Sequence, residues 1–278
     1  MRARPFAQVD VFGARPGLGN PVAVVLDGEG LDDDAMRAFA RWTNLSETTL
    51  VLPPTTPEAD YRVRIFTPTS ELAFAGHPTL GTCHAWLGAG ATPGGDEVVQ
   101  ESGAGLVRVR RSGIGTLAFG APPSSALEPV PAVLTAVLSA LGLSADDVGG
   151  ARVLDNGTDW LALEVRDAAT VLGLEPDHGA LRALPKVGVV GPHPSGSPEA
   201  VEVRAFAASA GIEEDPVTGS LQASLAQWLI GDGHLPERYV AAQGTRLGRA
   251  GRVHIDRVGA DVWVGGRVDA LVDGTATL

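Results

Sequence analysis

A single cysteine, Cys83, stands in this chain of 278 residues. One thiol excludes an internal disulfide and any cysteine-based zinc cluster. Cations are scarce as well: Lys and Arg number 21 against 33 Asp and Glu, for a formal charge of −12. A phosphate-backbone partner would need clustered cations. The two Arg-rich spots, Arg108, Arg110, Arg111 and Arg246, Arg249, Arg252, instead alternate with apolar residues as strand faces do. No nucleic-acid partner is expected, and the acidic surface reads as a solubility feature. No apolar run approaches the ~18 residues of a membrane span, and the opening MRARPFAQVD lacks the apolar stretch of a signal peptide. No membrane partner is expected, and the cytoplasm is the default location. Metal spacing is absent too. His77 and His84 lie seven apart, and His178, His193, His234 and His254 are scattered singly. The fragment Gly113-Ile114-Gly115-Thr116-Leu117-Ala118 fits a loose G-x-G-x-x-A, but Thr116–Phe119 reads as strand and no helix follows. Neither a metal nor a cofactor is expected.

What is present begins with an apolar fraction of 44%, enough to fill the cores of two ordinary domains. The segment Val63–Leu87 then recurs in loose form as Val203–Leu229. Each copy opens Val-Arg-x-Phe, crosses a loop to a polar residue followed by Pro (His77-Pro78, Asp215-Pro216), and closes in an apolar run on Trp-Leu. Gly81 and Gly219 fall three residues past those prolines. The offset is 203 − 63 = 140 at the valines and 215 − 77 = 138 at His77 and Asp215, which makes the second loop shorter by two. Self-similarity on this scale predicts two related halves that face each other across a cleft.

The rest of the chain reads as strands with a few long helices. Strands are predicted at Phe6–Phe12, Pro21–Leu26, Thr48–Leu52, Val98–Arg110, Gly115–Phe119, Trp160–Val165, Val187–Val190, and on both sides of a turn at Val258–Asp261. Asp32–Trp42 carries Met36, Phe39 and Ala40 on one face behind a run of N-terminal acids, and Pro131–Leu141 is a second amphipathic helix. The irregular rhythm argues for an α+β fold. The first half is expected over residues 1–121, joined by a C-terminal strand from about 266 to 278, and the second over 126–265, with Pro122–Ser125 as the linker.

Proline favours the first helical position, so His77-Pro78 and Asp215-Pro216 are predicted to begin helices, with His77 and Asp215 as caps. Small residues surround both: Gly76 and Gly81 in one copy, Gly219 and Ser220 in the other. Two helix N-termini aimed into one cleft would hold a substrate carboxylate. Asp215 as a plain cap, His77 as a structural residue and Ser220 as a packing residue are equally compatible with the spacing. Glu47, in Asn44-Leu45-Ser46-Glu47-Thr48, lies between a helix end and a strand start. By itself the sequence does not lift it above other loop acids.

These segments resemble the PhzF-like family, relatives of diaminopimelate epimerase. The match is carried by Val9-Asp10-Val11-Phe12, Gly19-Asn20-Pro21-Val22-Ala23-Val24-Val25, Asn44-Leu45-Ser46-Glu47-Thr48 and Arg64-Ile65-Phe66-Thr67-Pro68. It continues through Glu71-Leu72, Phe74-Ala75-Gly76-His77-Pro78-Thr79-Leu80-Gly81 and Glu214-Asp215-Pro216-Val217-Thr218-Gly219-Ser220. Ala73 departs from the family's usual proline. The resemblance implies two pseudo-symmetric domains, each a curled mixed sheet around a central helix, with the active site between them. It implies Glu47 as general acid/base, His77 and Asp215 as its catalytic companions, and substrate contacts from Asn20, Gly76, Gly219 and Ser220. It also implies a cofactor-independent isomerase, a small carboxylate-bearing substrate and a homodimer. The epimerase cousins use two cysteines, and Cys83 alone cannot supply that pair. One glutamate suits a 1,3-proton shift, for which a closed apolar cleft would raise its pKa. The alternatives are an amino-acid epimerase or racemase that adds Asp215 or His77 as second acid/base, and a non-catalytic carboxylate-binding protein of the same fold.

Overall fold

The computed structural model of the chain describes residues 1–113 and 115–278. Within the Gly113–Ala118 fragment, Ile114 thus lies outside the described residues. Two compact units form: Met1–Ala121 together with Trp263–Leu278, and Pro122–Val262. The first holds β1 (Ala3–Val11), β2 (Asn20–Val25), α1 (Asp33–Thr43), β3 (Glu47–Leu52), β4 (Tyr61–Phe66) and β5 (Glu71–Leu72). It continues with α2 (Gly76–Gly88), β6 (Val98–Ser102), β7 (Gly105–Gly113) and β8 (Thr116–Gly120). The second holds β9 (Ser125–Leu127), α3 (Pro131–Leu141), β10 (Val148–Asp155), β11 (Asp159–Val165), α4 (Ala168–Gly173) and α5 (His178–Leu181). After these come β12 (Val187–Pro192), β13 (Val201–Ala207), β14 (Ile212–Asp215), α6 (Gly219–Gly231), β15 (Arg238–Gln243) and β16 (Gly251–Val258). The final strand, β17 (Asp261–Thr277), carries the chain back into the first unit. The class is α+β.

The first unit closes its sheet on itself. β1 pairs with β2, β2 with β3, β3 with β4, β4 with β6, β6 with β7, β7 with β8, β8 with β17, and β17 again with β1. Only β2–β3 and β4–β6 are parallel. Helix α2 touches β1, β2, β3, β6 and β8, which places it inside that ring. Its sequence, GHPTLGTCHAWLG, has no polar face to offer water and is buried from Gly76 to Cys83. Gly81 is a packing residue: a Cβ there would lie 2.3 Å from Val22 Cγ1, so the helix meets β2 at a distance only glycine permits. Helix α1 is amphipathic and covers the outside, with Met36, Phe39 and Ala40 against Val25, Leu50 and Phe66.

The second unit repeats the plan. β10–β11, β12–β13 and β15–β16 are antiparallel, while β11–β12 and β13–β15 are parallel, in the same succession as β1–β2, β3–β4, β6–β7, β2–β3 and β4–β6. Helix α6 is the counterpart of α2, thirteen residues long and buried except at Gln227 and Gly231. Helices α3, α4 and α5 share an apolar core with Leu161, Val187, Val189 and Phe206.

Two sequence expectations need correction. The stretch Val98–Arg110 is not one strand but the β6–β7 hairpin, turned at Gly105, whose φ of +103° is a glycine conformation. The register of the repeat is set by the helix starts, 219 − 76 = 143, against 140 at the Val-Arg-x-Phe strands, so the second loop is longer than the first rather than shorter. The connecting segment Pro122–Ser125 is hydrogen-bonded to α6, where Gln227 accepts from Ser124 N and donates to Pro122 O, at 2.9 and 2.8 Å.

The Val-Arg-x-Phe arginines do the same work in both units. Arg64 grips Glu71 on β5 and Asp33 on α1, each at 2.6 Å, and lies 4.9 Å over the Phe66 ring. Arg204 pairs with Glu214 on β14 at 2.7 Å, donates to the carbonyls of Val171 and Leu174 at the end of α4, and lies 5.0 Å over Phe206. Each arginine fastens the short strand that leads into a central helix.

Candidate active site

In the first unit, Asn20, Glu47 and His77 come together, and Gly76 begins the helix that carries His77. The loop after β1 is gathered by Asp10, whose carboxylate accepts from the N–H groups of Gly17 and Gly19, both at 3.0 Å. Gly19 has no room for a side chain, since a Cβ would sit 2.1 Å from Val11 O. This turn delivers Asn20 to the start of β2, fully buried, with its Nδ2 3.3 Å from His77 Nδ1 and its Oδ1 accepting from Ser46 Oγ at 3.3 Å. Asn44 ends α1 in the left-handed conformation at φ 54°, which turns the chain so that Glu47 opens β3 beside Val22. His77 is the second residue of α2, not its cap; the cap position belongs to Ala75, which has no capping side chain.

Glu47 Oε2 and His77 Nε2 lie 3.2 Å apart, with the residues 9% and 3% exposed. That spacing is the spacing of an ion pair. Burial, however, pushes the His77 pKa down to about 3, against a smaller opposing effect of a hydrogen bond to the Pro21 backbone. We describe the contact as a neutral imidazole beside a carboxyl group, because full desolvation of a cation outweighs one neighbour at this distance. Cys83, one turn and a half further along α2, is buried and its thiol is pushed up to about 12 by desolvation, so it stays protonated at neutral pH. It supplies neither acid/base nor nucleophile there.

In the second unit, Asp215 closes β14 opposite Ala205 and does not cap α6, which begins at Gly219 with Thr218 as its N-cap residue. Asp215 Oδ2 accepts from Thr218 Oγ1 at 2.5 Å. Gly219 and Ser220 form the first turn of α6 and are buried, and Asn156 donates from Nδ2 to Ser220 O at 2.9 Å. Helix register makes Ser220 the counterpart of His77, since 220 − 77 = 143. Asn156, in the β10–β11 turn, bonds the Ser220 backbone carbonyl, whereas Asn20, at the start of β2, meets the His77 ring itself. Thr218, Gln243 and Asn156 escaped the sequence reading. The duplication held the signal for Asn156, which follows β10, the counterpart of β1, as Asn20 follows β1. Among the described residues no group of three or more His, Cys, Asp or Glu side chains could hold a metal ion.

The fold and this paired arrangement define a class: a two-unit α+β protein of the diaminopimelate epimerase-like type. Residues 9–277 match the model of the phenazine biosynthesis-like protein family, and the chain belongs to that family, the PhzF family. It is 34% identical to a trans-2,3-dihydro-3-hydroxyanthranilate isomerase of Pseudomonas aeruginosa over 98% of this chain and 99% of that protein. It is also 34% identical to antisense-enhancing sequence 1 of Schizosaccharomyces pombe, over 99% of each. A PhzF-family structure from Bacillus anthracis superposes with a TM-score of 0.84 over 100% of both chains at 20% identity, which shows a shared fold. The chain is an enzyme of the isomerase class. No helix among the described residues is long and apolar enough to cross a membrane.

Proposed function

We propose that the protein is a cofactor-independent isomerase that moves a proton by a 1,3-shift in a small carboxylate-bearing metabolite, with Glu47 as the acid/base. The observation that carries this reading is a buried carboxyl group held against a neutral imidazole, the environment in which a glutamate can both take and return a proton. Glu47 removes a proton from one carbon of an allylic system, and the C–H electron pair becomes the new double bond. The old double bond takes up the same proton from Glu47 at its far end. Atoms and charge balance without a cofactor. His77 and Asn20 orient the carboxyl group and the substrate. Asp215, Gly219 and Ser220 are assigned as substrate-binding residues of the second unit and Gly76 as one of the first, because the N–H groups of a helix first turn suit a carboxylate. The name of the Pseudomonas relative suggests the substrate class, a dihydro-hydroxyanthranilate or a close analogue.

The test is turnover of trans-2,3-dihydro-3-hydroxyanthranilate in D2O, followed by NMR, with wild type and Glu47→Gln. Gln keeps size and polarity but cannot carry the proton, so kcat should fall at least ~100-fold while the fold is retained. A variant that keeps a tenth of the wild-type rate removes Glu47 from the role. Exchange of an α-proton without migration of a double bond would favour the epimerase alternative. That reading asks His77 or Asp215 to act as a second acid/base, and a His77 pKa near 3 suits that poorly.

A further inference from the structure

The duplication brings out a residue that plays no part in the proton chemistry above. Gln100 on β6 and Gln243 at the end of β15 occupy equivalent places: 243 − 100 = 143, the offset of the two central helices. Both are fully buried. Gln100 donates from Nε2 to Thr79 Oγ1 and accepts on Oε1 from the Tyr61 hydroxyl, both at 3.0 Å. Those bonds tie α2 to its sheet and reach none of the candidate site residues. Gln243 keeps the equivalent link, accepting on Oε1 from Gln222 Nε2 at 3.0 Å, where Gln222 is the counterpart of Thr79.

Its other bonds go elsewhere. Oε1 also accepts from Thr218 N at 3.0 Å, and Nε2 donates to Asp215 O at 3.1 Å and to Thr218 Oγ1 at 2.9 Å. One side-chain amide therefore bridges both ends of the Asp215–Thr218 turn, with both donors and both acceptor sites used. The bond into Thr218 Oγ1 also has a direction. Because the hydroxyl accepts from Gln243, its own hydrogen is left for Asp215 Oδ2, 2.5 Å away. We propose that Gln243 is a positioning residue that acts through Thr218 to orient the Asp215 carboxylate and set the Gly219–Ser220 helix start. Gln100, its counterpart in the first unit, is structural only. The inference rests on the function proposed above.

Thr218→Val removes the relaying hydroxyl at nearly constant shape. Gln243→Glu keeps the acceptors but replaces the donors, so the Thr218 hydroxyl would turn from Asp215 to the new carboxyl. Gln100→Met serves as control. Turnover of trans-2,3-dihydro-3-hydroxyanthranilate is read as kcat and KM separately, beside Tm. We expect kcat/KM to fall about 10-fold or more in Thr218→Val and in Gln243→Glu, as misplacement of a site group does. The double variant should be no worse than the poorer single, as for residues acting in one chain. Gln100→Met should lower Tm and leave kcat and KM near wild type. If Gln243→Glu does not fold, Thr218→Val decides alone. Wild-type kinetics in Thr218→Val, or slowing by Gln100→Met equal to that of the Gln243 variant, overturns the proposal. An active wild type with an inactive Glu47→Gln would then leave the functional reading standing. A wild type without turnover overturns both.

Discussion

At the scale of the residue, His77 shows how burial decides chemistry. A histidine in a helix is ordinarily a candidate for protonation near neutrality, but this one is held at a pKa of about 3 by desolvation. The folded protein thus binds this proton less well than the unfolded chain, whose histidine titrates near 6.5. The sign follows from linkage: the contribution is fully present above pH ~6.5 and is lost as pH falls from there toward ~3. His77→Asn abolishes that dependence. Denaturant unfolding at pH 7.5 and pH 4.5 should show wild type losing stability relative to His77→Asn by about 3 kcal/mol. Parallel losses in both proteins would mean that the imidazole is protonated in the fold. Glu47 teaches the complementary lesson. Its motif was visible in the sequence, but its importance came from family resemblance, because nothing in Asn44–Thr48 reveals that the side chain turns inward to His77.

At the scale of the element, the two halves carry one device in two environments. Arg64 is 17% exposed and its partners Glu71 and Asp33 are 35% and 55% exposed. Arg204 and Glu214 are 5% and 6% exposed, and Arg204 also satisfies two backbone carbonyls. Removing one member of a buried pair leaves an uncompensated charge, whereas a solvated pair contributes little. Arg204→Ala should therefore cost ~3–5 kcal/mol and Arg64→Ala about 1 kcal/mol, read as unfolding free energies from denaturant titration. Equal losses would contradict the difference in burial. The repeat that made this comparison possible was legible, but its register was not. Pro78 and Pro216 look equivalent in sequence, yet Pro78 lies inside α2 while Pro216 precedes α6 by three residues. Proline is compatible with the first turn and with the loop before it, so it could not fix the alignment.

At the scale of the molecule, the first unit is discontinuous in sequence. Strand β17 pairs with β8 on one side and β1 on the other, and without it the ring around α2 stays open. A chain ended after Val262 loses that strand and exposes two edges and the apolar flank of α2. Hydrogen exchange should find the α2 amides protected in the full chain and rapidly exchanging in the shortened one, with α6 amides still slow. Continued protection of α2 would show that seven strands suffice to enclose it.

The sequence by itself determined the α+β class, the amphipathic outer helices, the duplication and the family motifs. These are statements about periodicity, turn residues and residue identity, which are local or nearly so. Only the tertiary structure decided which polar residues meet. Asn20 reaches His77 across 57 positions and Gln243 reaches Asp215 across 28, through side chains that on paper are unremarkable amides. It also decided that His77 is neutral, since a pKa depends on what surrounds a group in space and not on its neighbours in the chain. Hydrogen bonds between distant strands leave no periodicity to read, and for that reason the partners of Asp215 became visible only in the folded chain.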